Sequence, residues 1–271
     1  MIRFVKAHAC GNDFLIVDAA EVSAEEQRDA AVKLCARNTG IGADGVEYLE
    51  WTGERSGRIR LFNADGSVAE ISGNGTRCVA AWMAHEKRLG RGNIVTLETD
   101  AGARECSIVQ ADGVLFEITS RMGVPKIAAR TVGLGSGAVV EGIAVSTGNP
   151  HFVLFVEDPS FAMHRRSWQE IGREICFHQD FPGQTNVEFV RVTDTNKIEI
   201  RIFERGVGPT TSSGTGTCAS AVATIAYRGG AEHLLVHAPG GDQRVEWHGS
   251  DSEILLTGPA ELIAAGEAFA C

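Results

Sequence analysis

Most apolar runs in this chain are short. Residues 14–17 and 152–156 each follow a Gly-Asn turn. The stretches 45–50 with 57–63 and 186–193 with 197–204 are rich in β-branched and aromatic side chains. All of these read as strands. Alternating segments close the pattern: "NIVTLET", "RECSIV" and "VLFEIT", then "HLLVHA", "RVEWH" and "EILLTG". Helix signals are fewer. Ser23…Glu26 and Ser167…Glu170 have capping-box spacing. A serine-glycine turn then opens a second helix in each half, about 74–88 and 215–228, and Val79, Trp82 and Met83 suit a buried one. Many strands mixed with few helices predict an α+β fold rather than a doubly wound sheet.

The pattern repeats. Sliding the sequence by 141 brings "ISGNGT" onto "SSGTGT", "GVEYLEWT" onto "NVEFVRVT" and "IRLF" onto "IRIF". Eleven of the thirty-six residues from 45 to 80 are identical to their partners, too many for chance turns, so the chain reads as two homologous mixed α/β domains. The expected division is residues 1–117 and 118–259, with the tail 260–271 returning to pair with the first domain.

Composition narrows the function. The chain has 271 residues, is 44% hydrophobic and carries a net charge of -10. That charge argues against nucleic acid or an anionic membrane as partner, because phosphate binding needs concentrated Lys and Arg. No apolar run is long enough to span a bilayer, and the N-terminus has no extended apolar h-region. Seven cysteines at irregular spacing read as reduced thiols of a cytoplasmic protein. "GIGADG" at 40–45 matches a dinucleotide fingerprint, yet it follows a helix and precedes a strand, the reverse of what that motif requires. Gly40 is then expected as a helix C-cap.

The serine turns carry the candidate chemistry. One serine before glycines is an ordinary N-cap. Two in equivalent places offer two glycine-lined helix starts, whose amides and dipole suit a carboxylate. Facing halves would put one hydroxyl on each side of a ligand, as inversion of a stereocentre by proton transfer requires. Thiols would serve better there, since a helix start lowers their pKa, whereas a serine needs a base beside it. Asn12 and Asn149 sit in the paired Gly-Asn turns, and Asn63, Asn186, Glu204 and Arg205 at the paired strand ends. Each asparagine has an equally good reading as a turn residue. Arg205 suits a bidentate carboxylate clamp, and His151 reads either as a core histidine or as a tuner of an acid or base.

The ordered motifs "HACGNDFLIVD", "GIGADGV", "LFNADGS", "SGNGTRC", "GNPHFV", "FERGVG" and "SGTGTCA" run along nearly the whole chain and resemble the diaminopimelate epimerases. The resemblance implies two similar domains related by pseudo-two-fold symmetry, with the active site between them. It implies interconversion of LL- and meso-diaminopimelate in lysine and cell-wall precursor synthesis, without metal or pyridoxal phosphate. It assigns substrate holding to Asn12, Asn63, Asn149, Asn186, Glu204 and Arg205. The amides of Gly73, Asn74, Gly214 and Thr215 would cradle the carboxylate at the reacting carbon, and His151 and Glu204 would assist the acid/base pair. The expected partner is a small diaminopimelate-like amino acid, with a homodimer left open.

The chain departs from the family at the acid/base positions. Ser72 and Ser213 stand where the family has cysteines; Cys78 and Cys218 match other family cysteines, Cys10 reads as packing, and Pro209 replaces a common acidic residue. Three readings follow. One is an epimerase, natural or altered, slowed by serine. Another is a related enzyme of changed chemistry, dehydratase-like or another amino-acid racemase. The third is a diaminopimelate-binding protein without turnover.

Overall fold

The computed structural model describes residues 1–269, which divide into two compact units. Unit 1 spans Met1–Arg121 and takes back the chain from Thr257 on; unit 2 spans Met122–Leu256.

Unit 1 contains β1 (Ile2–Ala9), β2 (Asn12–Asp18), α1 (Gln27–Cys35), β3 (Gly45–Trp51), β4 (Ser56–Asn63), β5 (Val68–Ala69), α2 (Gly73–Glu86), β6 (Ile94–Thr99), β7 (Gly102–Asp112) and β8 (Leu115–Arg121). β2 runs parallel to β3 and β4 parallel to β6; β1–β2, β3–β4, β6–β7 and β7–β8 are antiparallel. The chain's last strand, Leu255–Ala268, pairs with both β1 and β8. The sheet therefore closes on itself, which leaves no edge strand in the ring. The tail is paired as far as Ala268, opposite Ile2; Ala270 and Cys271 lie outside the described residues. Because β8 is one strand through Arg121, unit 1 extends beyond residue 117.

The helix α2 fills the ring. Eleven of its residues, among them Cys78, Val79 and Met83, are buried and pack with Ile16, Leu49, Leu61, Val95, Ile108 and Ile118. A helix covered on nearly every side is a core helix, and the polar residues it buries, Asn74, Thr76 and Arg77, lie in its first turns. By contrast α1 buries one stripe, Gln27, Ala31, Leu34 and Cys35, against the outer face of the sheet.

Unit 2 repeats the plan with β9 (Lys126–Gly133), β10 (Val139–Ser146), β11 (Pro150–Phe155), α3 (Trp168–Cys176), β12 (Asn186–Asp194), β13 (Lys197–Glu204), β14 (Gly208–Thr210), α4 (Gly214–Arg228), β15 (His233–Ala238) and β16 (Gly241–Glu246). Neighbours run β9–β10–β11–β12–β13–β15–β16, again parallel at β11–β12 and β13–β15. α4 is buried from Gly214 through Thr224, and α3 covers the other face by packing Ile171 and Ile175 with Phe189 of β12.

Several local readings need correction. The capping box of α3 is present, with Ser167 and Glu170 bonding each other's backbone amides. Its counterpart is not: α1 begins at Gln27, and the Ser23 hydroxyl bonds the Glu26 carboxylate in a turn before it. Gly40 is not a C-cap either. α1 ends at Cys35, and the Gly40 amide closes the next turn onto the Ala36 carbonyl. Gly40 is required there because a Cβ would lie 2.2 Å from the Lys33 carbonyl oxygen. The hydrophobic pattern does not mark the strands β1, β9 and β10. Among the described residues no helix is long and apolar enough to cross a membrane.

Candidate active site

In unit 1 the site is built around the start of α2. Ser72 has extended backbone, and its Oγ accepts a hydrogen bond from the Gly75 amide at 3.0 Å, a standard N-cap. Its carbonyl receives the Thr76 hydroxyl at 2.6 Å. Gly73 and Asn74 are the first two residues of the helix, so their amides point out of its positive end. Asn74 is fully buried and donates from Nδ2 to Asn12 Oδ1 at 3.1 Å. Its Oδ1 accepts from buried Arg77 at 2.6 Å. Asn12 in turn donates to Asp44 at 2.7 Å. Arg37 bridges Asp44 and Asp13 at 2.7 Å each, and Lys6 lies 3.0 Å from Asp13. Burial pushes the Asp13 carboxyl up, but hydrogen bonds from Arg37 and Lys6 outweigh it and hold it below its ordinary value. This ionic cluster fixes the loop that presents Asn12. Asn63 ends β4 and donates to the Ser67 hydroxyl at 2.9 Å.

Unit 2 repeats the serine cap and the asparagine tie around α4. Ser213 caps α4, with Oγ 3.3 Å from the Gly216 amide. Asn149 donates to the Thr215 hydroxyl at 3.2 Å, so in each unit the Gly-Asn turn is tied to the second residue of the central helix. His151 is buried, with Nε2 3.0 Å from Asn149 Oδ1 and Nδ1 2.7 Å from Glu188 Oε1. An amide oxygen only accepts, so Nε2 carries a proton, and Nδ1 shares one with the carboxyl. Burial raises the Glu188 carboxyl above its ordinary value, and the adjacent imidazole opposes that rise. Asn186 Oδ1 accepts from the Arg205 amide at 2.8 Å, while the Arg205 guanidinium donates to the Gly183 carbonyl at 3.2 Å. Glu204 ends β13 beside it.

The structure thus gathers Asn12, Ser72, Gly73 and Asn74 at one helix start. It gathers Asn149, His151, Ser213, Gly214 and Thr215 at the other, and joins Asn186 to Arg205. Cys10 is buried, with left-handed backbone at φ 52°. Two residues that sequence reasoning passed over belong to these groups: Glu47 and Glu188, fully buried in β3 and β12. Their signal was present. "GVEYLE" and "NVEFVR" carry a glutamate at equivalent points of otherwise apolar strand openings.

A duplicated sheet wrapped around a serine-capped helix defines a fold shared with solved epimerases. The structure matches a "Predicted Epimerase" from Pseudomonas aeruginosa with a TM-score of 0.77 over all of both chains, at 17% identity. It also matches a hydroxyproline epimerase from Agrobacterium vitis, with bound trans-4-hydroxy-L-proline, with a TM-score of 0.70 over 98% of this chain and 90% of that one, at 16% identity. The sequence comparisons are more specific. The diaminopimelate epimerase family model matches residues 4–128 and 143–263. Diaminopimelate epimerases of Pelotomaculum thermopropionicum and Pseudomonas fluorescens are 35% and 36% identical, over 98% of this chain and 98% and 99% of theirs. The chain belongs to the diaminopimelate epimerase family.

Proposed function

We propose that the chain interconverts LL- and meso-diaminopimelate by moving the α-proton between Ser72 and Ser213, at a rate held down by the hydroxyl groups. Family membership carries the reaction. The observation that carries the site is the matched pair of serine-capped, amide-lined helix starts, each tied to an asparagine. The amides of Gly73, Asn74, Gly214 and Thr215 receive the carboxylate at the reacting carbon. Asn12, Asn63, Asn149, Asn186, Glu204 and Arg205 hold the rest of the substrate. His151, bonded to Asn149 and Glu188, assists on the Ser213 side. A serine hydroxyl is a far weaker acid than a thiol and needs a neighbouring base to act. Among the described residues no disulfide forms, and the six described cysteines are buried, which supports a reducing, cytoplasmic setting.

The test is deuterium wash-in at the α-carbon of diaminopimelate in heavy water. The unmodified chain is expected to bind the substrate and exchange slowly, and Ser72→Cys/Ser213→Cys to exchange faster by about 10² or more, the usual scale of an acid/base effect. No gain in the double cysteine variant would overturn the assignment of these two positions. Substrate binding with no exchange at all by the unmodified chain would favour the binding-protein reading instead.

A further inference from the structure

The duplication puts a glutamate at the same point of each unit. Glu47 and Glu188 lie 141 positions apart, and both are fully buried. In β3, Glu47 stands opposite Ile16 and Leu61, on the strand face that packs with α2. A buried polar group normally has a partner. Neither Oε1 nor Oε2 of Glu47 has a hydrogen-bond partner, and Oε2 of Glu188 has none. The side chains end beneath the first turns of the serine-capped helices. A Cβ on Gly75 would lie 2.1 Å from Glu47 Oε1 and 3.2 Å from Ser72 Cβ. A Cβ on Gly216 would lie 2.9 Å from Glu188 Oε1 and 3.4 Å from Ser213 Oγ. Glycine at both places makes room for a carboxyl. Glu47 and Ser72 also line one small recess of about 10 Å³, space for roughly one water, walled by Ile59, Leu61 and Ile71 and lined also by Glu70 and Asp100.

We propose that Glu47 is a positioning residue that acts through Ser72, exchanging a proton with its hydroxyl across this recess directly or through one water, and that Glu188 stands in the same relation to Ser213. The inference deepens the proton transfer proposed above and rests on it. When Ser72 Oγ takes the α-proton, its own hydroxyl proton passes to the Glu47 carboxylate, and the electron pair of the broken C–H bond stays on carbon. Ser213 Oγ then gives its proton to the opposite face of that carbon and is reprotonated from the Glu188–His151 pair. One proton has entered at Glu47 and one has left at Glu188; reversal or exchange with solvent restores both. A thiol needs no such reservoir, whereas a hydroxyl does. Burial pushes the Glu47 carboxyl up to about 8, so it changes protonation state in the range where an enzyme works. The two arms are unlike. Phe14, paired with Gly45, holds the place that His151, paired with Asn186, holds in unit 2.

The test uses a thiol as reporter. In Ser72→Cys, alkylation of the introduced thiol by iodoacetamide is followed from pH 5 to 10 by peptide mapping, with and without Glu47→Gln. Coupling of about one pK unit predicts that Glu47→Gln speeds alkylation near pH 8 by roughly tenfold and removes a second inflection. Superimposable profiles would overturn the proposal. A second measurement avoids any change at Glu47: its carboxyl is titrated by 13C NMR in the unmodified chain and in Ser72→Cys. A second inflection must appear in Ser72→Cys as the introduced thiol ionises; a single unchanged curve would equally overturn the coupling. Neither readout needs turnover. A chain that failed to exchange the α-proton would contradict the proposed function while these readouts still decided the coupling.

Discussion

The Ser72 Oγ spends one lone pair on the Gly75 amide and keeps its hydroxyl hydrogen for another partner. The residue is therefore both cap and reagent, and the two roles separate by substitution. Ser72→Ala should cost about 1 kcal/mol of stability through the lost cap and abolish wash-in, while Ser72→Cys should restore exchange. Denaturant melts and wash-in on the same variants check both. Glu47 gives a pH prediction. Its folded value, about 8, lies above the ordinary 4.5, so the folded state holds a proton that the unfolded chain releases. That contribution is full below pH 4.5, falls by roughly 1.4 kcal/mol per pH unit as pH rises towards 8, and is lost above it. Glu47→Gln should flatten this slope and be the more stable form at pH 8.5. Parallel melting curves for the two proteins from pH 5 to 8.5 would contradict it. At this scale the polar residues of the turns were legible because Gly-Asn and Ser-Gly are strong local signals. The buried glutamates were legible only by comparing the two halves, because a single charge in one apolar run reads as a solvent-facing position until the fold shows both faces covered.

The two capping-box sequences look alike along the chain and differ in the fold. Ser167 caps α3 in both directions, whereas Ser23 sits in a turn ahead of α1. Ser167→Ala should lower stability by about 1 kcal/mol and Ser23→Ala by less than about 0.5, read from denaturant midpoints at constant slope. Spacing alone put them on an equal footing because the extra turn before α1 keeps the same residues at the same separation. The end of α1 was misplaced for a related reason. Gly40 is needed for its close approach to the Lys33 carbonyl, not for left-handed backbone, and sequence does not distinguish the two demands. Gly75→Ala should be more damaging than Gly216→Ala, since a methyl would meet its carboxyl at 2.1 Å rather than 2.9 Å. Melting temperatures of the two variants decide this.

For the whole molecule, the constant offset of 141 made the duplication and the fold class legible before any coordinate. The strands left out are those with weak patterns. β9 is mostly exposed, and β1 carries Arg3, Lys6 and His8 between its buried positions. Their places are set by partners distant in sequence, as when β1 pairs with the last strand, Ile2 opposite Ala268. The fold does one thing in each unit: it buries a helix in a sheet and leaves its serine-capped start lined with amides. Everything proposed for the reaction depends on those two serines as the groups that move the α-proton. The most direct measurement is α-deuterium wash-in into diaminopimelate in heavy water, for the unmodified chain beside Ser72→Cys/Ser213→Cys. Slow exchange is predicted for the first and a gain of about 10² or more for the second; fast exchange by the unmodified chain, or no gain on introducing the thiols, would contradict the assignment.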